Sequence, residues 1–577
     1  MLKLRRFLVD YKKEVIIGPI CKLFEAILEL LVPLVMADII NVGINTLHDS
    51  GYVLSRGALM VLLAAMGLTS ALFCQYFASK ASQGAGTKIR RALLAHINTL
   101  SYAELDKLGT PSLITRMTGD INQVQQSIAM SIRLLTRAPF IIVGSLVMAM
   151  TINLPLSLIF FGAALLIALT LYLVMRRSVP LFSAVQRKLD KIGLITRENL
   201  SGSRVIRAFS KQDSENRRVD AATDDLARTA IRVSKLSALL SPVTYAVTDA
   251  AIIAIVWFGA VKVNVGDMQT GDIVALVSYM TQILLAMVVV ANLVMLMTKA
   301  SASAARINEV FETKPSVIEH TRQNISIKEN CSHKITFEQV SFRYHDGEDV
   351  LTGINLSIPR GATVGVIGGT GCGKSSLVQL IPRFYDAGSG RVLVDGVDVR
   401  DYPFAQLRRN MGIVPQHSIL FAGSVRDNMK WRAPDATDEE IIAALKTAQA
   451  YDFVSRLPEG LDSRVEQGGR NFSGGQRQRL CIARALVGNP ALLILDDSFS
   501  ALDMATDAAL RKALRKSTGD MTVIIVTQRC ASIRDADMIV CMDDGQIAGL
   551  GTHETLMRDC ALYRAICQSQ QTVEVSA

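Results

Sequence analysis

The stretch Gly368-Gly369-Thr370-Gly371-Cys372-Gly373-Lys374-Ser375 leaves the surrounding chain little choice of fold. It has the spacing GxxxxGK[ST]. The apolar run Val364-Gly365-Val366-Ile367 precedes it, and the helix-forming run Ser376-Leu377-Val378-Gln379-Leu380 follows. Strand, glycine loop and helix together are the context that a phosphate-binding loop requires. The glycines let backbone N–H groups turn inward around phosphate oxygens. The helix N-terminus adds the positive end of its dipole. Lys374 brings a charge to the β- and γ-phosphates, and the Ser375 hydroxyl can ligate Mg²⁺.

At 577 residues the chain is too long for one domain. Half of its residues are hydrophobic and its mean hydropathy is +0.30. The apolar spans lie before residue 300, and the later part reads as an ordinary α/β domain. The formal charge is +10. The basic residues crowd between the apolar spans, which favours a membrane protein with cytoplasmic loops over a nucleic-acid binder. Nine cysteines are scattered without a C-x-x-C pair. That pattern predicts reduced thiols facing a cytosol, with neither a disulfide framework nor a zinc site. The first apolar run lacks a small-residue cleavage site and reads as a retained span.

Six candidate spans run roughly over 15–41, 55–80, 129–152, 156–176, 238–262 and 272–298, each near the ~20 residues a bilayer needs. Lys3, Arg5, Arg6, Lys12 and Lys13 place the preceding tail in the cytoplasm. Six crossings then return the chain to the cytoplasm. The segments 81–128 and 177–237 are long and basic, and read as helices continuing into the cytosol. Each carries a break that could host a short cross-helix, at Gly109-Thr110-Pro111-Ser112 and at Gly202–Phe209. In the first span Lys22, Glu25 and Glu29 are spaced to share one helical face. Charges at membrane depth face a bundle interior or a water-filled cavity. Two readings follow for Glu25 and Glu29. They line a cavity for cationic or amphipathic cargo, or Lys22 pairs with Glu25 while Glu29 is hydrogen-bonded inside the bundle. Met280, Met287, Met295 and Met297 in the last span suit either a promiscuous binding surface or plain helix packing, and packing is the reading preferred.

The later half adds further motifs in a fixed order. Ser341-Phe342-Arg343-Tyr344 offers a ring ahead of the phosphate loop. Gly412-Ile413-Val414-Pro415-Gln416 follows the loop. Next come Phe472-Ser473-Gly474-Gly475-Gln476, then the strand Leu492-Leu493-Ile494-Leu495 ending in Asp496-Asp497, then Ser500-Ala501-Leu502-Asp503. The strand Val523-Ile524-Ile525-Val526-Thr527 ends at Gln528.

This order resembles the ATPase domain of ABC transporters, and six spans ahead of one such domain resemble an ABC exporter half-transporter. The resemblance covers nearly the whole chain. It implies a six-span α-helical transmembrane domain over 1–300, a linker over 301–333 and an α/β P-loop ATPase domain over 334–577. It implies that Tyr344 stacks on adenine, and that Gly368 through Ser375, with Ser376, hold ATP. Asp496, Ser375 and Gln416 would hold Mg²⁺. The two cytosolic breaks would be coupling helices. Two chains would clamp two ATPs, each between one phosphate loop and the other chain's Ser473-Gly474-Gly475-Gln476, with Asp503 in the adjoining loop.

Three positions depart from that family. Asp497 stands where the family has the Glu that orients the attacking water. Gln528 stands where it has a His, and Gln carries neither proton nor charge. Phe472 replaces a usual Leu and leaves the following Ser and Gly groups available. The binding positions are intact while two catalytic ones have changed. This asymmetry resembles the degenerate-site subunit of heterodimeric bacterial multidrug exporters. The implied partners are a second, non-identical half-transporter, membrane lipid and a small amphipathic cargo, with no nucleic acid. The implied place is a bacterial cytoplasmic membrane. A nucleotide-gated channel, a regulatory ATP-binding subunit and a homodimeric lipid flippase are the competing readings. The identity of the cargo is not legible.

Overall fold

The structure is a computed structural model that describes residues 2–319, 331–345, 347–517 and 519–575. The chain divides into two compact units. One comprises 1–98 and 111–312, the other 99–110 and 313–577.

The first unit is helical. Its helices are α1 (Lys12–Asp38) and α2 (Ser50–Ile97), then, after α3 (Tyr102–Leu108) of the other unit, α4 (Thr110–Thr115), α5 (Ile121–Leu134) and α6 (Arg137–Ile152). These are followed by α7 (Leu154–Ser201), α8 (Ser203–Ala208), α9 (Gln212–Ala238), α10 (Leu240–Val265) and α11 (Thr270–Glu312). Among the described residues five helical stretches are long and apolar enough to cross a membrane. They hold the second to sixth expected spans. The first expected span is α1, a 27-residue helix whose central Lys22, Glu25 and Glu29 set it apart from the other five. The 48 residues each of α2 and α7 run well past bilayer thickness, as the basic segments suggested. Asn153 starts α7 by accepting a hydrogen bond from the Leu156 N–H, with Pro155 in the first turn.

The core of this unit lies where α1, α6, α7, α10 and α11 meet. Phe160, Ile255, Leu276, Tyr279 and Met280 are fully buried there. Tyr279 donates its hydroxyl to the Leu30 carbonyl at 2.7 Å, so the buried phenol is satisfied. Met280 is core, and the Met297 sulfur accepts from Ser127 at 3.0 Å. Met280 therefore serves helix packing.

Residues 301–312, expected within the linker, continue α11. Ala300, Ala304, Ile307 and Val310 are buried at helical spacing. Arg306 pairs with Asp120, and Glu309 with Arg116 at 2.9 Å. The expectation followed mean apolarity, which falls here. The narrow small-residue face that packs was the better guide.

The second unit carries a four-stranded antiparallel sheet of β1 (His333–Arg343), β2 (Asp349–Pro359), β4 (Ser389–Val394) and β5 (Val397–Asp398). A six-stranded sheet holds β3 (Thr363–Gly368), β6 (Met411–Val414), β9 (Leu492–Asp496), β10 (Thr522–Val526), β11 (Met538–Asp543) and β12 (Gln546–Gly551). The small pair β7 (Gly423–Ser424) and β8 (Arg464–Val465) completes it. The order β12-β11-β3-β10-β9-β6 is parallel except at the β12 edge. The parallel strands β9 and β10 are buried throughout and mostly apolar because both faces are covered. Residues 99–110 join this unit through α3. Its cap residue Ser101 accepts from the Val317 N–H at 2.9 Å. Tyr385 donates to Asp106 at 2.8 Å, and Tyr102 packs on Phe384.

The expectation that every thiol is free needs correcting. Cys530 and Cys567 are joined as a disulfide, with a Cα–Cα separation of 5.7 Å. A sequence separation of 37 hid a proximity that the terminal helix creates. The other seven cysteines are unpaired, and among the described residues no cluster could hold a metal through His, Cys, Asp and Glu.

Candidate active site

β3, β9 and β10 run parallel, and their C-terminal ends open onto one crevice, the place where open α/β sheets bind ligands. A cavity of about 320 Å³ lies there. Tyr344, Thr370, Gly371, Gly373, Lys374, Ser375, Ser376, Gln416, Asp496, Asp497 and Gln528 line it. Residues separated by as many as 184 positions in sequence thus meet at one site.

The phosphate loop leaves β3 and enters helix α12 (Lys374–Leu380). Gly373 has φ +93°, and a Cβ there would stand 2.8 Å from the Val350 carbonyl oxygen. Any other residue would strain the loop at this point. Lys374 donates to the carbonyls of Gly368 at 3.0 Å and Gly369 at 2.5 Å. Its Nζ also lies 3.7 Å from the Cys372 sulfur. Gly368, Gly369 and Cys372 therefore shape the loop from behind, while Thr370, Gly371 and Gly373 face the cavity. Cys372 is buried.

Ser375 donates to Asp496 at 2.9 Å. A hydroxyl and a carboxylate oxygen converging beside a phosphate loop, with the Gln416 amide nearby, form the hard-oxygen set that suits Mg²⁺. Ser375, Asp496 and Gln416 would hold the ion, which supplies charge neutralisation on the phosphate oxygens. Tyr344 bonds Ser376 through its hydroxyl at 2.9 Å and packs edge-on against Phe342 and Tyr385. Its ring is thereby fixed at the cavity wall.

Asp497 sits at φ +47°, and its N–H donates to the Val526 carbonyl at 3.0 Å. Burial raises the pKa of both carboxyls. For Asp496 the adjacent Asp497 charge adds to the rise, while Ser375 and Lys374 oppose it. For Asp497, Lys374 and Arg529 oppose the rise. Since Asp496 must be ionised to hold Mg²⁺, acidification should weaken Mg²⁺-dependent ATP binding. Asp497→Asn removes the neighbouring charge and should move that acid limb to lower pH. Fluorescent-nucleotide binding with Mg²⁺ across pH 4–8 reads the shift; an unchanged or upward-moved limb would contradict it.

The segment Phe472–Gln476 lies outside this cavity. Phe472 is buried, and Ser473 caps the helix Gly474–Leu486. Ser473 and Gln476 close a reciprocal capping box, at 2.9 Å from the Ser473 N–H and 3.3 Å from the Gln476 N–H. The exposed Ser473 and Gly474 present this helix N-terminus outward, a ready anion site. Asp503 caps the next helix through Thr506 and does not line the cavity.

Two residues escaped the sequence reading. Gln478 donates to the Asp497 carbonyl at 3.3 Å and accepts from the Ala501 N–H at 3.2 Å. Arg529 donates to the Ser500 carbonyl at 3.1 Å. Together they tie the signature helix, the Asp497 turn and the loop before Asp503 into one piece. Neither stands out by motif; only a burial pattern marking Gln478 as inward-facing could have found it.

Glu25 and Glu29 are both ion-paired. Lys22 pairs with Glu25 at 2.6 Å, and Arg137 pairs with Glu29 at 2.6 Å. A separate cavity of about 790 Å³ in the helical unit is lined by Leu135, Pro139, Val290, Val294, Met297 and Ser301 among others, and by neither glutamate.

Comparison with known proteins agrees with this geometry. Residues 15–287 match the model of the ABC transporter transmembrane region, and residues 351–500 the ABC transporter model. An uncharacterized ABC transporter ATP-binding protein of Mycobacterium tuberculosis is 36% identical over 571 residues, spanning 98% of this chain and 97% of that one. The chain is an ABC transporter. YfiB of Bacillus subtilis, another uncharacterized ABC transporter ATP-binding protein, is also 36% identical, over 99% of this chain and 98% of its own length. YgaD of the same organism, named a putative multidrug export ATP-binding/permease protein, is 33% identical over 96% of this chain and 97% of its own. A bacterial Atm1-family ABC exporter, solved with ATP bound, superposes with a TM-score of 0.78 at 24% identity, covering 98% of both chains. This ABC transporter therefore joins a helical membrane domain to an ABC ATPase, which couples ATP hydrolysis to transport.

Proposed function

We propose that this ABC transporter is one half of a heterodimeric exporter of small amphipathic compounds in a bacterial cytoplasmic membrane. Its own ATP site is degenerate, and its signature segment completes the partner's catalytic site. One observation carries this reading. Asp497 and Gln528 line a cavity in which the binding residues Tyr344, Lys374, Ser375 and Asp496 are all in place. The chemistry that grips ATP is retained, and the chemistry that activates water is diminished. The outward-facing Ser473-Gly474 helix start supports a second chain whose nucleotide it meets. The largely apolar cavity near Leu135 and Val294 suits amphipathic cargo, and the relative YgaD carries a multidrug-export name.

The test is steady-state ATPase in lipid nanodiscs, for the chain alone and for the chain purified with a non-identical half-transporter bearing Glu and His at the corresponding positions. The complex should turn over at least about tenfold faster, a gap set by the misplaced water base. A chain that works alone as a homodimer at the full rate would refute the reading.

A further inference from the structure

The terminal helix Ala561–Val575 is fastened to the turn that carries Gln528. Cys567 on that helix is 3% exposed and is joined to Cys530, 8% exposed. Gln570, three residues along the same helix, donates to the Gln528 carbonyl at 2.7 Å. It also accepts from the Cys530 N–H at 2.8 Å. Three links therefore land on residues 528–530. That segment leaves β10 at the ATP cavity, where Thr527 and Gln528 form part of the wall. Its middle residue, Arg529, holds the Ser500 carbonyl. The attachment reaches the nucleotide and the loop before Asp503 together. Other thiols nearby differ in kind. Burial, with Cys560 alongside, pushes Cys541 up to about 12, which leaves it inert.

We propose that Cys530 and Cys567 are a reversible redox modification site, oxidised by a low-molecular-weight disulfide such as glutathione disulfide, that locks the terminal helix onto the Gln528 turn and slows nucleotide release from this chain's ATP cavity. A cytosolic thiol pool keeps isolated cysteines reduced, so a pair held at bonding distance responds to the poise of that pool. The exchange balances. The Cys567 thiolate attacks the small disulfide, forms a mixed disulfide and releases one small thiolate. The Cys530 thiolate then attacks the Cys567 sulfur and releases the second. Two protein thiols lose two electrons and two protons, and one small disulfide becomes two thiols. In the reduced chain the Gln570 hydrogen bonds hold the helix to the turn, and local opening of that helix is what exposes the two thiols to a small disulfide. The crosslink removes that opening.

The test uses the full-length chain in lipid nanodiscs, titrated through glutathione and glutathione-disulfide ratios. Differential alkylation with mass spectrometry reads the linkage. Hydrogen exchange reads residues 527–534, and release of a fluorescent ATP analogue reads the cavity. Oxidation should produce the Cys530–Cys567 peptide, protect 527–534 and slow release about threefold or more. Dithiothreitol should reverse all three. Cys530→Ser and Cys567→Ser should each abolish the response, and Cys331→Ser should keep it. Absence of that linked peptide at every ratio overturns the proposal. So does a linkage that leaves exchange and release unchanged, or slowed release that dithiothreitol fails to restore in the wild-type chain, a control independent of whether either serine variant folds.

Discussion

Ser473→Arg should abolish ATP turnover of the assembled exporter, whereas Asp497→Asn should leave most of it. The two residues lie on opposite sides of the proposed division of labour. Asp497 belongs to the cavity formed by this chain's phosphate loop. Its carboxylate is one methylene shorter than the family's Glu, and a misplacement of about 1 Å costs on the order of 10²-fold. A site already so impaired contributes little to the total rate, so removing its charge changes the total less than about twofold. Ser473 caps an exposed helix start that its own cavity does not use. Arg there places a long side chain where a partner's γ-phosphate would meet the helix dipole, and it removes the hydroxyl that closes the capping box. Loss of an aligned donor in a reacting site typically costs about 10²–10³-fold. Steady-state ATPase on singly substituted complexes measures both. Equal, near-complete loss in the two variants would mean that the sites work alike, and the asymmetry would fall. Thermal melting controls for the lost cap, whose own cost is about 1 kcal/mol.

The ATPase unit was legible because its function rests on short contiguous motifs. A glycine loop between an apolar strand and a helix admits few structures. The strand ending in Asp496 and the strand ending before Gln528 both emerge as fully buried β-strands. Pairing across the sheet is a matter of topology, which no local motif records. What escaped was held by single long-range contacts. The Cys530–Cys567 pair, the Gln478 bridge and the Arg529 anchor each depend on two segments meeting in space, and no local spacing records that. The helical unit was legible in its spans but not in their ends. Hydropathy falls at residue 300 while the helix continues to Glu312, because the buried face there is a narrow stripe of Ala300, Ala304, Ile307 and Val310 beside two ion pairs. Two short helices flank the Gly109 break of the first long segment, α4 (Thr110–Thr115) after it and, ahead of it, α3. Gly109, at φ +72°, terminates it.

Arg137→Met should destabilise the helical unit, and adding Glu29→Gln should recover most of the loss. Glu29 is bound to Arg137 at 2.6 Å, and Glu25 lies between Lys22 at 2.6 Å and Arg137 at 3.9 Å. Two acids and two bases thus neutralise one another on facing helices, α1 and α6. Removing only the arginine leaves Glu29 without its cation within a segment whose surroundings are apolar. A lone charge at membrane depth costs about 2–3 kcal/mol on insertion scales, and breaking one side of a pair costs more than deleting both. Glu29→Gln alone should then cost less than Arg137→Met, because Arg137 keeps Glu25 within reach, while among the described residues Arg137 is the one cation paired with Glu29. Thermal melting followed by size exclusion of the detergent-solubilised chain reads all three variants. A double variant no more stable than Arg137→Met would show that Glu29 does not answer Arg137. The glutamate would then be free to meet cargo, as its place on the first span first suggested. Recovery in the double variant assigns the pair to holding α1 against α6.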